Sequence, residues 1–258
     1  MPLNPRIPAW SGRRVWMIGA SSGIGEATAR ALLGRGARVA LSARSRPPLE
    51  ALAHASPDRS LVLPLDITSI EQVRSARAAI ESEWRGIDLA IIMAGTHKPV
   101  RAWELDAVAA RDLFEVNMMG VLGAAAEIVP ALLKQGTGGI AIVSSVAGYG
   151  GLPTSLLYGA TKAALINFAE TLYLDLQPKG IAVYLINPGF VKTPLTDKNE
   201  FEMPALISAE EAAREIVAGL ERGDFEIHFP KRFTRALKFL RLLPYRLYFA
   251  AVHRLTGL

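Results

Sequence analysis

Tyr158 and Lys162 are the two residues whose types and spacing point most directly to chemistry. They stand four positions apart within a helical pattern, so their side chains lie on one helix face, one turn apart. A free phenol has a pKa of about 10 and is a poor base at neutral pH, but a nearby ammonium favours the phenolate. The pair therefore indicates a tyrosine that gives and takes a proton, although this spacing alone is common in helices.

Two further segments lie where strands are predicted to end. Ser144 and Ser145 follow the apolar run Ile140–Val143, and Asn187–Thr193 leaves a strand for a loop. The carboxyl ends of parallel strands share one edge of a sheet, and α/β proteins bind ligands at that edge. We therefore expect these segments to meet Tyr158 and Lys162.

A glycine-rich loop, Gly19–Gly25, separates an apolar strand from a helix and indicates a dinucleotide site. Glycines let the backbone approach a pyrophosphate, whose charge the N–H groups of the helix amino terminus stabilise. The second strand is followed by Arg44 and Arg46, without the acid that usually holds the ribose hydroxyls of NAD. Because arginine suits phosphate oxygens, NADP(H) is favoured over NAD(H), with Arg44 as the contact. A solvated Arg44 is the alternative, and Arg46, before two prolines, is the weaker candidate.

The elements that must position these residues follow from hydrophobic periodicity. Apolar runs alternate with helical patterns, which predicts an α/β fold, a doubly wound parallel sheet of about seven strands, Rossmann-like, in a single domain. We assign residues 1–230 to the dinucleotide-binding catalytic domain and residues 231–258 to a basic amphipathic helical tail that is not an independent domain. The predicted strands are Val15–Gly19, Arg38–Ser42, Leu61–Leu65, Asp88–Met93, Gly139–Ser144, Ala182–Asn187 and Phe225–Phe229. The predicted helices are Ile24–Arg35, Ile70–Trp84, Asp106–Lys134, Ser155–Gln177 and Ala209–Arg222.

Composition narrows the class of protein. The 258 residues include no cysteine, which excludes disulfides and thiolate chemistry, and the four histidines are scattered without ligand spacing, so no metal is expected. The amino terminus lacks the apolar stretch of a signal peptide, and we expect no apolar run long enough to span a bilayer. We expect a cytoplasmic protein, with the inner face of a membrane as a second location.

The net charge of +5 originates in the tail. No Asp or Glu occurs from Ile227 to Leu258, which carries seven lysines and arginines, and its apolar residues follow helical spacing that Pro244 is expected to break into two helices. Such helices suit an anionic membrane surface, and packing on the body or on another subunit is the alternative. No nucleic-acid readout motif accompanies the charge, so no nucleic-acid partner is expected.

Taken together, these motifs resemble the short-chain dehydrogenase/reductase family, in its branch of roughly 250 residues. The resemblance covers Arg13 to about Phe229 and includes the GxxxGxG loop, the Asp66-Ile67 pair, the Ser–Tyr–Lys set and the Pro188-Gly189 turn, in order. Ser145 precedes Tyr158 by the family's usual thirteen residues, so it is preferred to Ser144.

The resemblance implies a catalytic set of Asn117, Ser145, Tyr158 and Lys162. Tyr158 would exchange a proton with the substrate oxygen, which Ser145 would hydrogen-bond, while Lys162 would bind the nicotinamide ribose and lower the pKa of Tyr158. Asn117 would hold a water of a proton relay, with a purely structural hydrogen bond as the alternative.

The cofactor contacts implied or expected are Gly19, Ser21, Ser22, Gly23, Ile24, Gly25, Arg44, Asp66, Ile67, Ala94, Gly95, Tyr158, Lys162, Pro188, Val191 and Thr193. One departure concerns Ile92-Met93-Ala94-Gly95, where the family commonly has Asn-Asn-Ala-Gly, which puts the polar contacts there in doubt.

The substrate is expected to be apolar, because the segment after Thr193 is rich in apolar residues. Besides Ser145 and Tyr158, the expected contacts are Leu152, Leu195 and Met203; the alternative is a lid that packs its apolar side on the body. The function predicted is an NADP(H)-dependent interconversion of a ketone or aldehyde and an alcohol. A 3-oxoacyl thioester reductase and a non-catalytic NADP(H)-binding sensor or scaffold are the alternatives. We also expect a homo-oligomer through the two longest helices.

Overall fold

The strands form one parallel sheet whose order places a cleft at its centre. The computed structural model describes residues 2–197 and 203–256, and within them the strands are β1 Arg14–Ile18, β2 Arg38–Ser42, β3 Ser60–Val62, β4 Leu89–Ile92, β5 Gly139–Val143, β6 Ala182–Pro188 and β7 Glu226–Phe229. The sheet order is β3-β2-β1-β4-β5-β6-β7, and every pairing is parallel. The chain reverses its direction across the sheet between β1 and β4, which is where such folds bind ligands. The predicted fold class is confirmed.

Helices cover both faces of the sheet. They are α1 Gly23–Gly34, α2 Arg46–Ala53, α3 Ile70–Trp84, α4 Ala107–Phe114, α5 Gly120–Gln135, α6 Leu156–Leu176, α7 Ala209–Arg222, α8 Lys231–Arg241 and α9 Tyr245–Thr256. Helices α1 and α7 pack together on one face, and α3 and α5 pack together on the other, which α6 also covers. Strand β1 shows how both faces are filled: Val15 and Met17 enter one apolar cluster, while Trp16 and Ile18 enter the other. Alternate residues of a strand point to opposite faces, so a doubly covered strand is apolar throughout.

One long helical segment differs from the sequence prediction. A continuous helix is predicted over Asp106–Lys134, but the structure places a π-helical turn, Glu115–Met119, between α4 and α5. By length and composition, Ala107–Gln135 is apolar enough to cross a membrane, so the expectation that no such stretch exists is wrong. In this structure Val121, Ala124 and Ile128 are buried against the sheet, which accounts for the apolar composition.

The tail forms two helices that dock on the body. Helix α8 ends at Arg241, and α9 begins directly after Pro244, as predicted from the missing N–H of proline. Leu237, Leu240 and Tyr248 face the segment after β5. The short helix α2 is not predicted, because Arg46-Pro47-Pro48 is typical of a loop, although prolines are well tolerated in the first turn of a helix.

Candidate active site

A cleft of about 840 Å³ opens at the carboxyl edge of the sheet, beside the point where the strand order reverses. All sixteen residues expected to contact a cofactor line it, from the loop Gly19–Gly25 to Thr193 at its far side. The parallel topology thus brings segments that are far apart in the sequence to one cavity. The described lining also includes Thr96, Lys98, Ala109, Asp112, Leu113 and Val116, none of which the sequence pattern indicates.

The glycine-rich loop has the backbone shape that a close-packed phosphate cradle needs. Gly19 has φ +103°, and a Cβ atom built there would lie 2.7 Å from the backbone nitrogen of Ala94. A Cβ at Gly25 would lie 1.9 Å from the carbonyl oxygen of Gly19, so neither position accepts a side chain without displacing backbone. Helix α1 begins at Gly23, so its free N–H groups point toward the cleft, where they suit a pyrophosphate. The loop therefore fits a dinucleotide.

The end of β2 presents arginine rather than an acid to the cleft. Arg44 is exposed and lines the cavity, whereas Arg46 lies in the first turn of α2, where its Nη1 is 3.4 Å from Oε1 of Glu50. Asp66, which also lines the cleft, accepts hydrogen bonds from the backbone N–H (3.0 Å) and hydroxyl (2.8 Å) of Thr68. These bonds, with a smaller contribution from the charge of Arg44, lower the pKa of Asp66. Of the two arginines, Arg44 is the one placed for a ligand phosphate.

Ser145, Tyr158 and Lys162 meet on the wall of the cleft. Ser145 follows β5, its Oγ accepts a hydrogen bond from the backbone N–H of Ala147 (3.2 Å), and it approaches the carbonyl oxygen of Pro188 (3.4 Å). Tyr158 and Lys162 lie on α6, one turn apart. Ser144 instead donates a hydrogen bond to the carbonyl oxygen of Lys162 (2.7 Å) and so ties β5 to α6. Ser144 therefore has a structural contact, while Ser145 is the serine that interacts with Tyr158.

Burial sets the protonation of the tyrosine and the lysine. Burial raises the pKa of Tyr158 to about 12, and a hydrogen bond with Ser145 opposes that shift. Burial lowers the pKa of Lys162 to about 8. The Lys162 Nζ donates to the carbonyl oxygen of Val143 (3.0 Å) and lies 5.5 Å from the centroid of the Tyr158 ring. At that distance an ammonium favours the phenolate over the phenol. Tyr158 is therefore protonated at neutral pH, and the Lys162 ammonium is the cation beside it.

Asn117 is fully buried behind this pair, in the π-helical turn. Its Oδ1 accepts from the backbone N–H of Thr96 (2.7 Å), and its Nδ2 donates to the carbonyl oxygen of Thr96 (2.8 Å) and approaches the Thr161 hydroxyl (3.4 Å). A Cβ built on Gly95 would lie 3.4 Å from Asn117 Oδ1 and 3.6 Å from Lys162 Nζ. Asn117 thus connects the loop after β4 to α6. The relay role that the family resemblance implies stays a prediction.

The three apolar residues expected to touch substrate lie in different places. Leu195 lines the cleft. Leu152 instead lines a separate small cavity of about 10 Å³ between the segment after β5 and the tail. Met203 is half-buried and is not among the described residues that line the cleft, and residues 198–202 before it lie outside the described chain. Of the three, only Leu195 is placed for contact with a ligand in the cleft.

His97 is a neighbour of the site that sequence reasoning misses. Its ring packs edge-on against Tyr158, with the ring centroids 4.7 Å apart. No sequence signal marks this contact beyond the position of His97 shortly after β4, because the loop that carries it is placed by tertiary contacts such as that of Thr96 with Asn117.

The tail braces the segment between Ser145 and Tyr158. The Glu226 carboxylate accepts hydrogen bonds from the Tyr149 hydroxyl (2.6 Å) and from Asn187 Nδ2 (2.8 Å), and it forms an ion pair with Lys238 of α8. The Tyr248 hydroxyl of α9 donates to the carbonyl oxygen of Gly151 (2.8 Å). We call the contacts of Glu226 with Tyr149, Asn187 and Lys238 the tail latch. It connects the tail to the segment that follows Ser145.

A nucleotide cleft on a doubly wound sheet, with a Ser–Tyr–Lys set on its wall, defines a nicotinamide-dependent oxidoreductase. The family model for short chain dehydrogenases matches residues 13–203. The chain therefore belongs to the short-chain dehydrogenase family.

Three comparisons illustrate the similarity. An uncharacterized oxidoreductase of Myxococcus xanthus is 34% identical over 248 residues, which cover 95% of this chain and 98% of the relative. A short-chain dehydrogenase of Burkholderia cenocepacia, solved in complex with NADP, has a TM-score of 0.76 and 29% identity, covering 89% of this chain and 92% of its own. An enzyme of Burkholderia phymatum, solved with NAD, shares the fold with a TM-score of 0.82 and 22% identity, covering 90% and 94%. A nicotinamide cofactor is thus supported for this chain, and its type is a separate question.

Proposed function

We propose that this chain is an NADP(H)-dependent oxidoreductase that interconverts a ketone or aldehyde and an alcohol, with Tyr158 as its general acid and base. The observation that carries the proposal is the position of Tyr158, beside Ser145 and Lys162, on the wall of a cleft that begins at the glycine-rich loop. A nucleotide held by that loop and a substrate oxygen held by the two hydroxyls would occupy neighbouring parts of one cavity.

The chemistry divides between the cofactor and the chain. When bound, a nicotinamide supplies or accepts the hydride. In the reductive direction Tyr158 donates its proton to the carbonyl oxygen, and Ser145 donates a hydrogen bond that stabilises the negative charge developing there. A phenol with a pKa of about 12 is protonated at neutral pH, so the proton is available. In the oxidative direction the ammonium of Lys162 supports the phenolate that accepts the alcohol proton.

The preference for NADP(H) rests on Arg44. Its guanidinium follows the end of β2 without an acidic neighbour on that strand end, and it lines the same cleft as the glycine-rich loop. A planar, permanently charged donor of this kind suits the extra phosphate that distinguishes NADP from NAD.

Replacing Arg44 tests this assignment, and Arg46 supplies a matched control. Because hydrogen bonds to charged groups contribute about 1.5–3 kcal/mol, Arg44→Ala is expected to weaken NADPH binding about 10- to 100-fold and to leave NADH binding nearly unchanged. Arg46→Ala removes the same charge two residues further along the chain. The Arg46 side chain already lies near Glu50, so we expect this variant to change NADPH binding little. Fluorescence titration with NADPH and NADH measures both. Equal losses for the two cofactors, or equal effects of the two variants, would contradict the role of Arg44.

An apolar substrate is supported by the apolar residues in the lining of the cleft. Leu113, Val116, Pro194 and Leu195 line the same cavity as Ser145 and Tyr158. Pockets for small ligands are mostly apolar with a few polar groups that orient the ligand, and the hydroxyls of Ser145 and Tyr158 are suited to that role.

The first experiment is the oxidation of NADPH over a panel of apolar ketones, aldehydes and 3-oxoacyl thioesters, with NADH in parallel and Tyr158→Phe as the control. We expect turnover that prefers NADPH and is lost in the variant, since phenylalanine keeps the ring and removes the proton. Turnover with thioesters alone would select a 3-oxoacyl reductase instead. Tight NADPH binding without turnover of any substrate would indicate a non-catalytic sensor instead of an enzyme.

We further propose that the active form is a cytoplasmic homo-oligomer. Met119, in the π-helical turn before α5, and Leu133 within α5 are exposed, as are Leu156 and Leu174 of α6. Because exposed apolar surface can mark a protein interface, we place the subunit contact on these two helices.

A further inference from the structure

The two tail helices and their connection carry a high concentration of exposed apolar side chains. The large apolar residues exposed on α8, on α9 and between them are Phe239, Leu242, Tyr245, Leu247, Phe249 and Leu255. They make up six of the fifteen such residues in the described chain, although the two helices are a small part of it. The inner side of the same helices is already satisfied by the body, through Tyr248 and the tail latch. The exposed residues are therefore not needed for docking the tail.

Cations without acidic partners are interleaved with these side chains. Arg232, Arg235, Arg241, Arg246 and Arg254 are exposed, and no ion pair within the described residues involves any of them. Lys238, by contrast, is neutralised by Glu226. Apolar and basic groups meet where the two helices join: the guanidinium of Arg241 lies 5.7 Å from the centroid of the Tyr245 ring, which stacks on Phe249 with the ring centroids 5.6 Å apart. We call these exposed apolar and basic residues of α8, α9 and their connection the tail patch.

We propose that the tail patch binds an anionic lipid bilayer surface. Aromatic and aliphatic side chains enter the boundary between headgroups and acyl chains, while arginines on the same helices extend to the lipid phosphates. Each such cation contributes through the negative surface potential of the leaflet. An amphipathic element with this composition lies on the surface and does not cross it.

The charge of the tail patch favours a bilayer over a second copy of the chain as its binding partner. A symmetric dimer brings the same surface of two subunits together, so a contact through the tail patch would place five arginines against five arginines. No Asp or Glu follows Glu226 in the sequence, so the tail offers no acid to offset that repulsion. An anionic surface meets the same arginines with favourable charge.

The test is co-sedimentation of the whole 258-residue chain with vesicles of phosphatidylcholine alone and of phosphatidylcholine mixed with phosphatidylglycerol. We expect binding to the mixed vesicles that weakens as salt rises, and much weaker binding to the neutral ones. Because one basic residue near such a surface contributes about fivefold in binding, Arg246→Gln/Arg254→Gln should weaken partitioning about 25-fold. Lys134→Gln/Lys179→Gln removes two exposed charges from the body and serves as the matched control, with a change below about twofold.

A second pair of variants tests the apolar half of the patch. Leu242→Ser/Phe249→Ser keeps every charge and is expected to reduce binding to the mixed vesicles, and unchanged melting temperature and NADPH affinity would show that the fold persists. Absence of binding to mixed vesicles at low salt overturns the proposal. So does binding that neither pair of variants reduces. If sedimentation velocity shows that Leu242→Ser/Phe249→Ser dissociates an oligomer, and the wild-type chain does not bind vesicles, the tail patch binds a second copy of the chain instead. The assay needs no turnover, so its result does not depend on the substrate or on the proposed reaction.

Discussion

At the scale of single residues, the protonation of Tyr158 sets how each direction of the reaction depends on pH. Burial raises its pKa to about 12, so at any pH below that value the phenolate fraction grows about tenfold for each unit by which pH rises. Alcohol oxidation uses the phenolate and ketone reduction uses the phenol. We therefore expect kcat/KM for oxidation to rise steadily from about pH 6 to about pH 9, while kcat/KM for reduction does not rise. Profiles in both directions on one substrate measure this.

Lys162 moderates the pH profile of alcohol oxidation, and a variant of Lys162 separates its effect from that of Tyr158. Its ammonium, 5.5 Å from the centroid of the Tyr158 ring, favours the phenolate, but burial brings the pKa of Lys162 to about 8, so its charge declines above that pH. Lys162→Met should lower the oxidation rate most below about pH 8, where the wild-type lysine is charged. A profile for oxidation that is flat with pH in the wild type would contradict proton transfer through Tyr158.

Local spacing makes the candidate catalytic residues visible in the sequence, whereas tertiary contacts determine the rest of the candidate site. Tyr158 and Lys162 are four apart on a helix, and the glycine-rich loop is contiguous, so each is visible in the sequence. Asn117 lies in a π-helical turn that no periodicity indicates, and its partner Thr96 lies on a separate loop. Leu152 is apolar, which fits a substrate wall as well as it fits the small cavity beside the tail that it lines.

At the scale of elements, the strands are the most predictable part of the fold and the tail latch the least. Apolar runs between turns locate all seven strands of the described sheet to within a few residues, because strands buried on both faces have few polar positions. The latch joins side chains from four separate segments, Tyr149, Asn187, Glu226 and Lys238. Such a set has no sequence spacing, so only the structure shows it.

The latch makes docking of the tail sensitive to acid. Its hydrogen bonds and the charge of Lys238 together outweigh burial and lower the pKa of Glu226. The latch therefore stabilises the fold above the unfolded-state pKa of glutamate, and this contribution is lost as pH falls through the lower folded pKa. Nearby His228 acts in the same direction: burial lowers its pKa to about 4, so the unfolded chain takes up its proton first, and stability declines as pH falls from about 6.5 to about 4.

Glu226→Gln is the variant that isolates the latch. We expect it to lower the free energy of unfolding by about 1–2 kcal/mol at neutral pH, since the ion pair is partly solvated, and to flatten the dependence on pH in acid. Glu50→Gln, which removes one partner of an exposed helical ion pair with Arg46, is the matched control and should cost less than about 0.5 kcal/mol. Urea unfolding at neutral pH and at two acid pH values measures both. The same loss for both variants at every pH would show that the latch contributes no more than a surface ion pair.

At the scale of the whole molecule, we assign the two longest helices and the tail to different proposed partners, another subunit and a lipid surface. Leu174 is 72% exposed on α6 and Leu133 is 42% exposed on α5, without the clustered arginines of the tail patch. If the proposed homo-oligomer forms through these helices, Leu133→Arg/Leu174→Arg should convert it to a monomer, because the pair would place charge in an apolar interface. Sedimentation velocity or light scattering on the purified protein measures the mass.

Leu247→Arg, a single change of the same kind at an exposed residue of α9, is the comparison. It should leave the mass unchanged, since the tail patch is assigned to lipid and not to another subunit. A monomeric wild type would refute the oligomer, and loss of mass in Leu247→Arg alone would move the subunit interface to the tail.

The tail latch also can form only late in the synthesis of the chain, since Lys238 is among its last residues to be made. The glycine-rich loop, Ser145 and Tyr158 leave the ribosome well before Glu226, Lys238 and Tyr248, which hold the loop around Tyr149 and Gly151 from outside. A nascent chain that already contains every residue of the cleft therefore still lacks these contacts. They wait for α8 and α9, so chains terminated before these helices keep the recognisable motifs without the contacts around Tyr149 and Gly151.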